Sequence, residues 1–139
     1  MHPPRTRVLV VDDDALVGRL LERFLKRHYD VAVVTSGAAA LARIEAGERY
    51  DLILCDRIMP GMTGEALYDV LLVTAPEEVE RMVFLSGGVV DSADAAFSRR
   101  AAANLHLQKP VDPALLIEQL DGVLARLGPL ALTPDPPRS

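Results

Sequence analysis

At 139 residues, 50% apolar and 25% charged, the chain has room for one domain around a single core. A formal net charge of −5, with 20 acidic against 15 basic residues and no basic stripe, argues against direct nucleic-acid binding. The lone Cys55 excludes an internal disulfide framework, no apolar run reaches the ~18 residues of a bilayer span, and Met1-His2-Pro3-Pro4-Arg5 is no signal segment, so a cytoplasmic protein without a membrane partner is expected.

In chain order, the first continuously apolar run is 8–11, followed by a helix in which Val17, Leu20, Leu21, Phe24 and Leu25 repeat at helical spacing. Arg19, Glu22, Arg23 and Lys26 fill its other face. The cluster Arg23, Lys26, Arg27 and His28 reads as a solvated helix end, where cations are favoured. A second run, 31–35, precedes an Ala-rich helix over about Gly37 to Glu45 with Leu41 and Ile44 inward. The third run, 52–55, holds Cys55, read as a small buried hydrophobe. A helix from about Gly64 then sets Leu67, Val70 and Leu71 on one side, until Pro76 interrupts it before a short acidic segment. The fourth run, 82–86, is followed by a weakly amphipathic helix at about 92–103, whose only large apolar residue is Phe97. After the weaker run 105–109 comes the best-punctuated helix, with Asp112 as N-cap, Pro113 in the first turn and Gly128 past the end. Leu116, Ile117, Leu120, Val123, Leu124 and Leu127 form its stripe. The domain is expected over 6–127, with a Pro-rich, disordered or linker-like tail at 128–139.

Five apolar runs alternating with five helices imply an α/β fold with right-handed crossovers: a doubly wound, five-stranded parallel sheet of flavodoxin-like order 2-1-3-4-5. Functional groups in such sheets gather beyond the carboxyl ends of the strands. There the sequence places Asp12-Asp13-Asp14, then Asp56, then Ser86 before Gly87-Gly88, then Lys109-Pro110. Each has a plain reading alone: Asp14 as a helix cap, Ser86 as a loop hydroxyl, Lys109 as a solvated cation, the glycines as a turn. Together they make a chemical set. Clustered carboxylates need a cation or a proton at neutral pH. Hard oxygen donors with open positions suit Mg2+. A carboxylate can attack phosphorus, and phosphoryl transfer needs positioning and charge neutralisation above all.

These stretches, VLVVDDD, DLILCDRIMPGMTG, FLSGG and LQKP, resemble the receiver domains of bacterial response regulators over roughly 6–127. The resemblance implies that Asp56 is the phosphoacceptor, Asp13 a direct Mg2+ ligand and Asp12 an acid that holds the metal largely through water. The backbone carbonyl of Ile58 would be a further ligand. Ser86 matches the switch hydroxyl and Lys109 the site lysine, whose bond to Pro110 is expected to be cis. It also implies a histidine kinase or phosphotransfer protein as donor, and a downstream protein bound through the fourth helix, fifth strand and fifth helix.

Three positions depart from the family pattern. His106 stands where receivers usually carry a switching Tyr or Phe; it reads either as a partly exposed strand histidine or as a pH-sensitive replacement for that switch. Ile58 and Gly88 occupy positions that tune hydrolysis of the phosphoryl group, and neither can orient a water. Asp112 stands near where many receivers carry an aromatic after Lys-Pro, a departure from the usual partner surface. FLSGG, with glycines after the serine, is similar to receivers attached to hybrid sensor kinases.

Two other functions compete with a self-acting phospho-switch that is not otherwise an enzyme. An aspartyl-nucleophile phosphatase or phosphotransferase wants an acid two residues past the nucleophile, and Ile58 is there instead; Asp12 and Asp14 have that spacing, but no Thr follows as needed. A pseudo-receiver scaffold would bind partners without phosphorylation, and the complete set of Asp12, Asp13, Asp56, Ser86 and Lys109 speaks against it.

Overall fold

In the computed structural model, residues 6–87 and 92–128 are described, the side chains of 92–94 excepted. The chain runs β1 (Arg7–Val11), α1 (Ala15–Leu25), β2 (Asp30–Val34), α2 (Gly37–Glu45), β3 (Leu52–Asp56), α3 (Gly64–Thr74), α4 (Pro76–Val79), β4 (Met82–Ser86), α5 (Ser92–Arg100), β5 (Leu105–Gln108) and α6 (Pro113–Leu127). All strand pairs are parallel, in the order β2-β1-β3-β4-β5. Val10 pairs with Val33 on one side and Leu54 on the other, and Phe84 lies between Cys55 and His106.

Because successive strand residues point to opposite faces, continuous apolar runs feed two cores. Leu9, Val11, Ile53, Cys55 and Phe84 pack with Ala40 of α2, Leu67, Tyr68 and Leu71 of α3, Val79 of α4 and Phe97 of α5. Val8, Val10, Leu52, Leu54, Val83 and Leu85 pack with Leu21 and Leu25 of α1 and Leu116, Leu120 and Val123 of α6. Burying each such side chain contributes on the order of 1.5–3 kcal/mol. Among the described residues, no helix is long and apolar enough to cross a membrane.

The doubly wound sheet and its order are as the sequence implies, and the caps Asp14 and Asp112 accept from backbone N–H groups of the first turns of α1 and α6. Three details differ. Among the described residues there are six helices, not five: Ala75, at φ −151° and ψ 65°, leaves the helical region, and Pro76, which has no N–H, starts the separate short helix α4. The apolar stripe of α1 is split. Leu21 and Leu25 are buried and Val17 half-buried, whereas Leu20 and Phe24 align with Leu16 on a ridge rotated toward solvent. Finally, α5 stops at Arg100 rather than near Ala103. The buried Asn104 donates its side-chain amide to the carbonyls of Val79 and Met82, both at 2.8 Å, which draws the chain out of the helix and into β5. The tail at 129–139 lies outside the described residues.

Candidate functional site

Parallel strands bring their carboxyl ends to one edge. Asp12, one residue past β1, is fully buried. Its Oδ1 accepts the Asp14 N–H at 2.9 Å and its Oδ2 accepts from Lys109 Nζ at 3.1 Å. Asp56, the last residue of β3, is 8% exposed; its Oδ2 accepts from the same ammonium at 3.2 Å and its Oδ1 from the Ile58 N–H at 3.3 Å. Asp13 is exposed beside them, and one ligand oxygen from each of Asp12, Asp13 and Asp56 lies within 4.8 Å of the others. The Lys109 N–H donates to the Ser86 carbonyl at 2.8 Å, and the Lys109–Pro110 bond is cis. The half-buried Ser86 is one residue past Leu85, the partner of Asp56 across the sheet. Carboxylates and ammonium meet directly; Ser86 joins them through its backbone.

The loop after Asp56 is pinned to its surroundings. Met59 is buried, Ile58 is 66% exposed at the rim, and Gly61 has φ +75°, a left-handed turn that favours glycine. The Arg57 N–H donates to the Leu85 carbonyl at 2.8 Å, and the Arg57 carbonyl accepts the Gly64 N–H at 3.0 Å. A Cβ on Gly64 would sit 2.7 Å from the Asp56 carbonyl oxygen and 3.0 Å from Arg57 Cα, so only glycine lets α3 begin this close to β3. Thr63 caps α3 through the Ala66 N–H at 3.0 Å.

Burial raises the Asp56 carboxyl above its ordinary value and Asp12 adds to the rise, while Lys109 opposes it and does not cancel it. For the Lys109 ammonium, burial works in the unfavourable direction, but its hydrogen bonds to Asp12 and Asp56 outweigh that and hold it above its usual value. Three carboxylates thus face one ammonium. The surplus negative charge and the hard oxygen donors fit a divalent cation of the Mg2+ kind. Cys55 is fully buried, and burial pushes its thiol up, so it is inert packing rather than a nucleophile.

His106 is half-buried on β5. Its ring stacks on Phe84 at 5.3 Å between centroids, and Nε2 lies 2.9 Å from the Ala101 carbonyl oxygen. Sequence reasoning passed over Arg57 and Arg100, whose guanidiniums lie 5.0 and 5.3 Å from the Phe97 ring centroid. Arg57 follows Asp56 directly, and a long cation at that position of a buried strand end was the available signal.

The family model described as the response regulator receiver domain matches residues 8–121. The chain belongs to that family. As a receiver domain it is 35% identical over 127 residues to a 3',5'-cyclic-nucleotide phosphodiesterase of Dictyostelium discoideum, covering 88% of this chain and 16% of that protein. It is 32% identical over 127 residues to the DNA-binding response regulator MtrA of Mycobacterium bovis, covering 91% of this chain and 54% of that one. The receiver domain therefore spans only about half the length of the mycobacterial relative, and far less of the phosphodiesterase. Among solved structures, a CheY-like response regulator receiver domain protein of Methanospirillum hungatei superposes with a TM-score of 0.79 at 27% identity, covering 88% of this chain and 96% of that one.

Proposed function

We propose that this receiver domain takes a phosphoryl group onto Asp56 from the phosphohistidine of a histidine kinase or phosphotransfer protein. An Asp56 carboxylate oxygen bonds to phosphorus as the phosphorus–nitrogen bond breaks; the imidazole leaves with the electron pair and gains a proton from solvent. The observation that carries this reading is the single ammonium of Lys109 donating to both Asp12 and Asp56, at 3.1 and 3.2 Å, with Asp13 alongside. In this reading Lys109 keeps Asp56 ionised against its burial and then holds a phosphoryl oxygen, while the Ser86 hydroxyl donates to another. Asp13, Asp56 and the Ile58 carbonyl would hold Mg2+ directly and Asp12 largely through water. When bound, the ion supplies charge neutralisation on the transferring oxygens.

The donor's approach is supported by an open, mostly apolar groove of about 380 Å³ that shares Lys109 with the site and is otherwise lined by residues such as Leu20, Phe24, Pro110 and Val111. The face of α5, β5 and α6 would change its binding of a downstream protein, with Ser86 and His106 as switch residues. The domain works on itself rather than turning over a substrate, over residues 6–127, in the cytoplasm. The complete acidic set with its lysine disfavours a scaffold that binds without phosphorylation.

Intact-mass measurement after incubation with acetyl phosphate and Mg2+ tests the proposal. Wild type should gain one phosphoryl group and Asp56→Asn none. Equal masses would overturn the assignment.

A further inference from the structure

On the sheet face opposite α1 and α6 lies an aromatic cluster that the phosphoryl chemistry does not use. Phe97 of α5, 1% exposed, meets Tyr68 of α3 edge-on at 5.5 Å and Phe84 of β4 edge-on at 5.0 Å. His106 closes the cluster, stacked on Phe84 and 6.1 Å from Phe97. Two guanidiniums attend the Phe97 ring. Arg100, at 5.3 Å, also pairs with Asp69 at 2.6 Å and Glu65 at 3.0 Å, which clamps the end of α5 to α3. Arg57, at 5.0 Å and 7% exposed, comes from the loop that follows Asp56.

Arg57 has the geometry of a transmitter. Its N–H is tied to Leu85 at the end of β4 and its carbonyl to Gly64 at the start of α3, so the residue follows any shift of the Asp56 loop. Its side chain delivers that shift to the one large apolar anchor of α5. A phosphoryl group would add negative charge one residue away and draw on the guanidinium, weakening or redirecting its hold on the ring. His106 is turned inward, with Nε2 at the Ala101 carbonyl. Two packings of α5 separated by a small free-energy gap respond to the gain or loss of one such contact.

We propose that Arg57 is the positioning residue through which the phosphorylation state of Asp56 reaches α5, with the Phe97 ring as its contact. The proposal rests on Asp56 being the phosphoacceptor.

Amide hydrogen exchange of residues 92–100 tests it, measured before and after treatment with acetyl phosphate and Mg2+, with intact mass followed in the same samples. In wild type, phosphorylation should change exchange in this segment. Arg57→Met and Phe97→Leu should gain the same mass, yet show a change about three-fold smaller or less, and Arg57→Lys, which keeps the cation, should recover part of it. An Arg57→Met protein that is phosphorylated and keeps the full α5 response overturns the inference; so does a phosphorylated wild type whose α5 does not respond. If Arg57→Met does not fold, Phe97→Leu decides by the same criterion. A wild type that gains no mass removes the Asp56 reading, and this inference with it.

Discussion

Lys109 Nζ lies 3.2 Å from Asp56 Oδ2, an ion pair that spans from the end of β5 to the end of β3 across intervening β4. The same ammonium also serves the buried Asp12. Removing it with Lys109→Met leaves two carboxylates facing each other at low exposure. With the lysine side chain 27% exposed, part of that cost is screened, so a loss of about 1–3 kcal/mol is expected. The loss should shrink when Lys109→Met is made in an Asp56→Asn background, because one carboxylate is then already neutral. Urea unfolding of the four proteins measures the coupling; additive losses would contradict it.

Asp56 also makes the stability depend on pH. Burial raises its carboxyl in the folded chain, so the folded state holds this proton to higher pH than the unfolded one. Stability from this group is therefore present below the unfolded value and lost as pH rises through the folded one. Asp56→Asn should be the more stable protein near neutrality, and its advantage should fade toward about pH 4. Mg2+ should raise the thermal midpoint of wild type more than that of the variant. Parallel melting curves for the two proteins across this range, with and without Mg2+, would count against the reading.

Two glycines in helices should respond in opposite directions. Gly64→Ala places a methyl 2.7 Å from the Asp56 carbonyl oxygen, and that backbone must give way. A loss of about 1–3 kcal/mol and slower phosphorylation are expected, since the shift falls on the proposed phosphoacceptor's own residue. In Gly122→Ala the new methyl meets nothing within 4 Å in the middle of α6, and a gain of roughly 0.5–1 kcal/mol follows from helix propensity alone. Thermal unfolding separates the two.

The difference between these glycines was not legible in the sequence, and that is general to this chain. Strand order and the gathering of Asp12, Asp56, Ser86 and Lys109 follow from the period of the apolar runs and the rule for parallel sheets. Both depend only on spacing along the chain. The outward turn of Leu20 and Phe24 does not, because Val17, Leu20, Leu21, Phe24 and Leu25 satisfy helical periodicity equally well whichever ridge faces the sheet. The stop of α5 at Arg100 is set by Asn104 bonding to Val79 and Met82, more than twenty residues away. Arg57 and Phe97 meet only once β3 and α5 are folded against each other.

His106 offers a sharper test than the sequence suggested. Its Nε2 donates to the Ala101 carbonyl in either the neutral Nε2–H tautomer or the protonated ring, so that bond alone does not discriminate charge states. His106→Phe keeps the stack on Phe84 and deletes the donor. A loss of roughly 1 kcal/mol and faster amide exchange at the carboxyl end of α5 are expected. Unchanged stability and exchange in His106→Phe would contradict a structural role for that bond.

On the proposal that Asp56 is phosphorylated, the lifetime of the phosphoryl group is expected to depend on how water reaches it. Ile58 is 66% exposed at the rim, two residues past Asp56, and its N–H already donates to Asp56 Oδ1 at 3.3 Å. The side chain is thus held beside Asp56 by its own backbone, and a sec-butyl group there can neither accept nor donate a hydrogen bond to an incoming water. Ile58→Asn places an amide at the same spot without altering the buried core. Orienting a water is a weaker contribution than full general-base catalysis, so loss of the phosphoryl group should quicken by roughly tenfold. The decay of the phosphorylated mass, followed after the phosphodonor is removed, gives the rate directly. An unchanged rate would mean that access of water is controlled elsewhere on the rim.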